Sequence, residues 1–113
     1  MAMGETRQVS GVAIRTCQPG DEQIVLDLLK DSFGSMEYIP RVKAEISGPY
    51  FNREGSFIAE NNGSALGCVG LRKFPHEKWL HIRYLAVKDS ESNVSLAQNL
   101  VAKAMQYADS IRV

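Results

Sequence analysis

Ser56-Phe57-Ile58-Ala59-Glu60-Asn61-Asn62-Gly63-Ser64-Ala65-Leu66-Gly67-Cys68-Val69-Gly70-Leu71 reads as two strands folded back on each other. Ser56 to Glu60 is the outgoing strand, with β-branched and aromatic residues that suit a pleated surface. Asn61-Asn62-Gly63 is the turn, because Asn-Gly accepts the positive φ angles that a two-residue hairpin demands. Ala65 to Leu71 is the return. Its Gly67 and Gly70 either weaken it or mark places where another group approaches the backbone closely. Phe74-Pro75-His76-Glu77 turns the chain again. Trp79 to Val87 then predicts a third strand, with Ile82, Tyr84 and Ala86 on one face and His81, Arg83, Leu85 and Val87 on the other. A meander of three strands follows.

Upstream, Val12-Ala13-Ile14-Arg15-Thr16 predicts a first strand. Gln18-Pro19-Gly20-Asp21-Glu22 stops it and supplies acids suited to the positive end of a helix. From Glu22 to Phe33, Ile24 and Leu28, Val25 and Leu29, and then Phe33 form one apolar stripe, opposite Asp27, Lys30 and Asp31. Gly34 is the expected stop. A shorter helix is expected from Pro40, through Arg41 to Ile46, ending before Gly48-Pro49. Downstream, Lys88 to Ser95 is polar. A helix is expected from Leu96 to Ala108, with Leu96, Leu100, Val101, Ala104, Met105 and Ala108 as its stripe. Ser110-Ile111-Arg112-Val113 predicts the beginning of a further strand. The expected order is β-α-α-β-β-β-α-(β), an α+β or mixed α/β layer with helices packed on the sheet. Residues 1–11 are polar and aperiodic and are expected to be a loose lead-in to one domain over 12–113.

Composition narrows the function. The 113 residues are 44% hydrophobic and 23% charged, which fits one ordinary globular domain. Thirteen basic side chains balance thirteen acidic ones, so there is no global field for nucleic acid or anionic lipid. No Lys- or Arg-rich stripe accompanies Trp79, Phe74 or Tyr84, which are expected in the core or an interface. No apolar run approaches the roughly 20 residues of a spanning helix. The N-terminus has no apolar stretch of the kind that marks export. Cys17 and Cys68 are too few for a disulfide scaffold, and a reducing cytoplasm is the expected setting. Cys68, inside a predicted strand, is expected to be an inert core thiol. No Cys and His are spaced as metal ligands.

Several strings resemble the GNAT superfamily of acetyl-CoA-dependent acyltransferases. Ala13-Ile14-Arg15-Thr16 with Gln18-Pro19-Gly20-Asp21 is similar to its opening strand and first helix. Phe57 to Gly63 with Leu66 to Leu71 is similar to its central hairpin, and Ile82-Arg83-Tyr84-Leu85-Ala86-Val87 to its fourth strand. Asp89 to Leu100 occupies the place of its pyrophosphate loop and helix. Two departures stand out. The family loop carries Gln or Arg and then Gly, where this chain has Ser92 and Ser95, followed by Ala97. The family domain also continues with more strands and a helix, so the chain is expected to lack the usual C-terminal part.

The resemblance implies transfer of an acetyl group from acetyl-CoA to a small-molecule or peptide amine, without a covalent enzyme intermediate. It implies that backbone N–H groups of Leu85, Ala86 and Val87 hold the thioester and pantetheine, in the manner of oxyanion donors. It implies that Ser92, Asn93, Val94, Ser95, Leu96 and Ala97 hold the pyrophosphate at a helix N-terminus. On their own reading Ser92, Asn93 and Ser95 are equally good helix caps. His81 stands five residues before Ala86, where many members carry a Glu that acts as general base, directly or through water. The ordinary pKa of a histidine suits removal of a proton from an ammonium, while the plain reading is a half-exposed strand histidine. Glu60 and Arg83 are second candidates, the first expected to flank the hairpin and the second to lie on a solvated face. The alternative function is an inactive module that binds a partner, or itself as a homodimer, through an open sheet edge.

Overall fold

A computed structural model describes residues 12–33, 39–88 and 93–111. The elements are β1 (Ala13–Thr16), α1 (Glu22–Phe33), α2 (Ile39–Ser47), β2 (Phe51–Asn61), β3 (Ser64–Arg72), β4 (His81–Val87) and α3 (Asn93–Ser110). All strand pairings are antiparallel, in the spatial order β1-β2-β3-β4. The expected mixed α/β order is therefore the observed one. The lead-in, Gly34, the segment 89–92 that includes Ser92, and Arg112-Val113 lie outside the described residues.

The hairpin forms where Asn62 and Gly63 place it. Both have positive φ, 54° and 81°, the pair of left-handed residues that a two-residue turn needs. Strand β2 starts five residues before the expected Ser56. The polar, glycine-containing run Asn52 to Gly55 resembles a turn, but it is carried by a bulge between Asn52 and Phe57. Buried Ser56 stitches this bulge: its hydroxyl donates to the Asn52 carbonyl at 2.7 Å and accepts from the Leu71 N–H at 2.9 Å.

Alternation divides the sheet between two cores. Ile58 and Cys68 face α1 and α2, where Val25, Leu28, Leu29, Val42 and Ile46 close over them. Ala59, Val69 and Leu71 face α3, whose Leu96, Leu100 and Ala104 are buried against them. The stripe of α1 is as expected at Val25, Leu28 and Leu29; the Phe33 side chain lies outside the description. Asp21 ends the turn before α1 and accepts from the Gln18 N–H at 2.7 Å and from Arg15 at 2.7 Å. Arg15 and the Gln18 N–H hold its carboxyl below the usual range.

Three expectations are corrected. Trp79 precedes β4 and is 58% exposed, because Phe74 to Leu80 makes turns rather than strand. Met105 is exposed too and does not join the α3 stripe. At 100° per residue, burying Leu100 and Ala104 turns position 105 away from the sheet. Ser110, expected to begin a strand, ends the helix, and the Ile111 N–H still bonds the Tyr107 carbonyl at 3.2 Å.

Candidate functional site

The centre of the site is a fault in β4. Two steps on β3, from Cys68 to Gly70, are matched by three on β4, from Ala86 back to Arg83. The extra residue bends the strand, and Tyr84 takes a φ of 55°, rare for an aromatic residue. Several contacts hold it there. Its ring lies over Gly70, where an added Cβ would stand 2.6 Å from Tyr84 Cδ2. Its hydroxyl donates to the Glu45 carboxylate on α2. Its carbonyl accepts from the Cys68 thiol at 3.2 Å.

The bulge reverses the predicted faces. Arg83 stands opposite Gly70 and Ala86 opposite Cys68, so His81, Arg83 and Ala86 share the α1/α2 side, where Tyr84 also packs. Ile82 and Val87 turn instead toward α3, opposite Leu71 and Gly67. Strict alternation had grouped them otherwise, because one inserted residue exchanges the faces beyond it.

Beyond the bulge, the outer edge of β4 has no strand beside it among the described residues. The Lys88 N–H bonds inward to the Leu66 carbonyl at 2.8 Å. In an antiparallel ladder the preceding residue then points its N–H and C=O outward. The Val87 carbonyl does so, meeting the Ser32 hydroxyl of α1 at 3.4 Å. Val87 also packs in the α3 core with Leu96 and Leu100, so the open end of β4 and the first turns of α3 lie together. Of that helix start, Val94 and Ser95 are exposed, Ala97 is half-buried and Leu96 is buried as the anchor. The first-turn N–H groups have no intrahelical acceptor and carry the positive end of the helix. The Asn93 backbone begins the helix.

His81 lies apart from this group, at the other end of β4. It sits three residues, about 10 Å of extended strand, before the bulge. Its Nε2 bonds the Glu77 carboxylate, and the Phe74 ring meets it edge-on at 5.4 Å. Glu77 was read only as part of a turn; its spacing of four from His81 was the available signal. Glu60 is drawn away by Arg15, at 3.2 Å. Arg83 keeps 40% of its side chain exposed, in line with a solvated face, while its guanidinium stands 3.8 Å from Glu45 and over the Tyr84 ring at 5.6 Å. Burial pushes the Cys68 thiol up to about 12, so it is inert as expected.

Residues 23–113 match the family model described as Acetyltransferase (GNAT) family. The chain belongs to the GNAT family. Its fold is shared by solved GNAT structures. The Escherichia coli GNAT family N-acetyltransferase in complex with CoA superposes with a TM-score of 0.76 at 22% identity, covering 94% of this chain and 61% of that one. The Brucella melitensis GNAT family acetyltransferase in complex with acetyl-CoA gives 0.74 at 16% identity, covering 88% and 70%. N-acetylglutamate synthase from Neisseria gonorrhoeae, complexed with coenzyme A and N-acetyl-glutamate, gives 0.69 at 21% identity, covering 98% and 25%. This GNAT chain thus spans between a quarter and seven tenths of these proteins. No curated protein matches it. Among the described residues no helix is long and apolar enough to cross a membrane.

Proposed function

We propose that this GNAT domain transfers an acetyl group from acetyl-CoA to an amine. The observation that carries the reading is the Tyr84 bulge, beside which the outer edge of β4 at Leu85 and Val87 has no strand next to it among the described residues and lies by the first turns of α3. Acetyl-CoA, when bound, supplies the acetyl thioester. The outward N–H of Val87, and that of Leu85 two residues before it, are donors whose position is set by the fold, which suits an oxygen gaining negative charge, while Ala86 between them is paired inward with Cys68 and fixes their direction. The residues fit a diphosphate at α3: Val94 and Ser95 are exposed, and the first-turn N–H groups lack acceptors. We assign Ser92 to Ala97 to that role, with the Ser95 hydroxyl standing where the family has glycine. The amine must lose a proton before it attacks. His81 is our base: with Nε2–H donated to Glu77, Nδ1 keeps the lone pair that accepts the proton, and its distance from the donor edge assigns the transfer to intervening water.

Calorimetric titration with acetyl-CoA tests the cofactor site, with Ser95→Arg as the variant that fills the helix start. Binding abolished by the substitution is expected; absence of heat at millimolar acetyl-CoA overturns the proposal. Three smaller assignments go with it. The domain is taken as 12–113, and the two free buried thiols suit a reducing cytoplasm. The β4 edge before the bulge, with Trp79 and Ile82 exposed near it, favours pairing with a second copy, which sedimentation equilibrium tests.

A further inference from the structure

Between His81 and the bulge the structure gathers a cluster that the transfer of an acetyl group does not itself require. Glu45 of α2 faces three guanidinium groups. Arg72 Nη1 is 3.7 Å away, Arg83 Nη2 3.8 Å and Arg41 Nε 3.8 Å. All three distances exceed a hydrogen bond. The oxygen nearest Arg83 is taken instead by the Tyr84 hydroxyl. One carboxylate therefore stands against three permanent positive charges. The Tyr84 hydroxyl and the arginines hold the Glu45 carboxyl below its usual range, so Glu45 stays ionised and cannot be the missing countercharge. Arg72 is largely buried, at 13% side-chain exposure, and its Nε finds no acceptor among the described residues. Its guanidinium lies over the Phe74 ring at 4.7 Å, the same ring that meets His81 edge-on. Arg72 is also the residue directly opposite His81 in the sheet.

The cluster thus adjoins the proposed base and shares Tyr84 with the bulge. An amine held at His81 would have its remainder on the side of Arg83 and Arg41, whose side chains are the more exposed of the three, at 40% and 73%. A planar guanidinium fork pairs with a carboxylate through two parallel hydrogen bonds. We infer that the acceptor is an amine that also carries a carboxylate, which Arg83, backed by Arg72 and Arg41, recognises. This inference rests on the transferase reading above. It assigns Arg83 as a specificity-determining residue.

The test pairs ω-amino acids of two to six carbons with alkylamines of the same length. The amine is nearly unchanged within the longer pairs, and the carboxylate is the added group. Acetyl transfer is followed by release of the CoA thiol. We expect kcat/KM for the best acid to exceed that of its alkylamine at least tenfold, chiefly through KM, and Arg83→Gln to shrink that ratio below threefold. Arg83→Lys, keeping the charge but not the fork, should restore part of it. In parallel, the arginine Nε–Hε NMR signals are titrated with the same compounds, without acetyl-CoA. Shifts at Arg83 or Arg72 with the acids and not the alkylamines support the inference. Equal turnover of acids and alkylamines leaves the transferase standing and overturns the carboxylate assignment. Acid-specific shifts without any turnover keep the binding site and remove the transferase. Absence of both shifts and discrimination overturns the inference outright.

Discussion

Gly67 is where packing and the proposed site meet, and Gly67→Ala tests their connection. An added Cβ would stand 2.9 Å from the Ala86 carbonyl oxygen, 2.9 Å from Val87 Cγ1 and 3.2 Å from Leu100 Cδ1. The first contact is with backbone, which no rotamer change relieves. Reaching an ordinary separation requires β3 and β4 to part by about 0.5 Å at the end of the sheet that carries the open edge. Overpacking of this kind costs about 1–3 kcal/mol. Replacing glycine also reduces the freedom of the unfolded chain, which returns about 0.4–1 kcal/mol. The net loss is about 1–2 kcal/mol, or a urea midpoint lower by about 0.5–1 M for a slope near 2 kcal/mol/M. Equilibrium unfolding followed by circular dichroism measures it, and calorimetry with acetyl-CoA measures the site. Because the displaced atoms belong to Ala86 and Val87, acetyl-CoA affinity should fall as well. Gly63→Ala is the control: nothing lies within 4 Å of its added Cβ, but its φ of 81° is strained for alanine. It should lose about 1 kcal/mol with unchanged acetyl-CoA affinity. A Gly67→Ala protein as stable as wild type refutes the packing argument. One that is destabilised but binds acetyl-CoA equally well refutes the link between this contact and the site.

Three further outcomes are expected. His81→Gln should lower kcat by about 10²–10⁴ while acetyl-CoA binding by calorimetry is retained, as removal of a general base requires; full activity would remove His81 from the mechanism. Burial pushes the Cys17 thiol up to about 11 and the Cys68 thiol up to about 12, so neither forms thiolate near pH 8. Labelling by a disulfide reagent should therefore proceed only as fast as the protein opens, and reaction at the rate of free cysteine would contradict the described core. The carboxyls of Asp21, Glu22 and Glu45 are all held below their ordinary range by hydrogen bonds and arginines. A lowered folded pKa contributes stability above the unfolded value, near 4, and that contribution is lost as pH falls through the folded pKa. Thermal melts should be flat from about pH 5 to 7 and fall below about pH 4, with a shallower fall in Asp21→Asn; an unchanged slope in that variant would refute the role given to the Arg15–Asp21 pair.

The elements legible in the sequence were those decided within a few residues of themselves. The stripe of Val25, Leu28 and Leu29 defines α1 by its spacing alone. Asn62-Gly63 defines the hairpin because the turn itself demands positive φ. The order of elements follows, and with it the family. Where a partner strand or helix decides, the sequence is silent. Ser56 reads as the start of β2 because the irregular run before it is tied into the sheet by the bond from the Leu71 N–H of β3 to the Ser56 hydroxyl. Glu45 is not singled out by its sequence and Glu77 reads only as part of a turn, because their partners, Tyr84 with its arginines and His81, come from other segments or from across a turn. The same holds for the largest error, the faces of β4. Alternation along His81 to Val87 assumes an unbroken ladder, and Tyr84 breaks it. What holds the break is Gly70 beneath the ring, Glu45 at the hydroxyl and Cys68 at the carbonyl. The local pattern determined that this segment is a strand. Only the contacts made across the folded chain decided which of its side chains face the helices and which backbone groups are left open to a ligand.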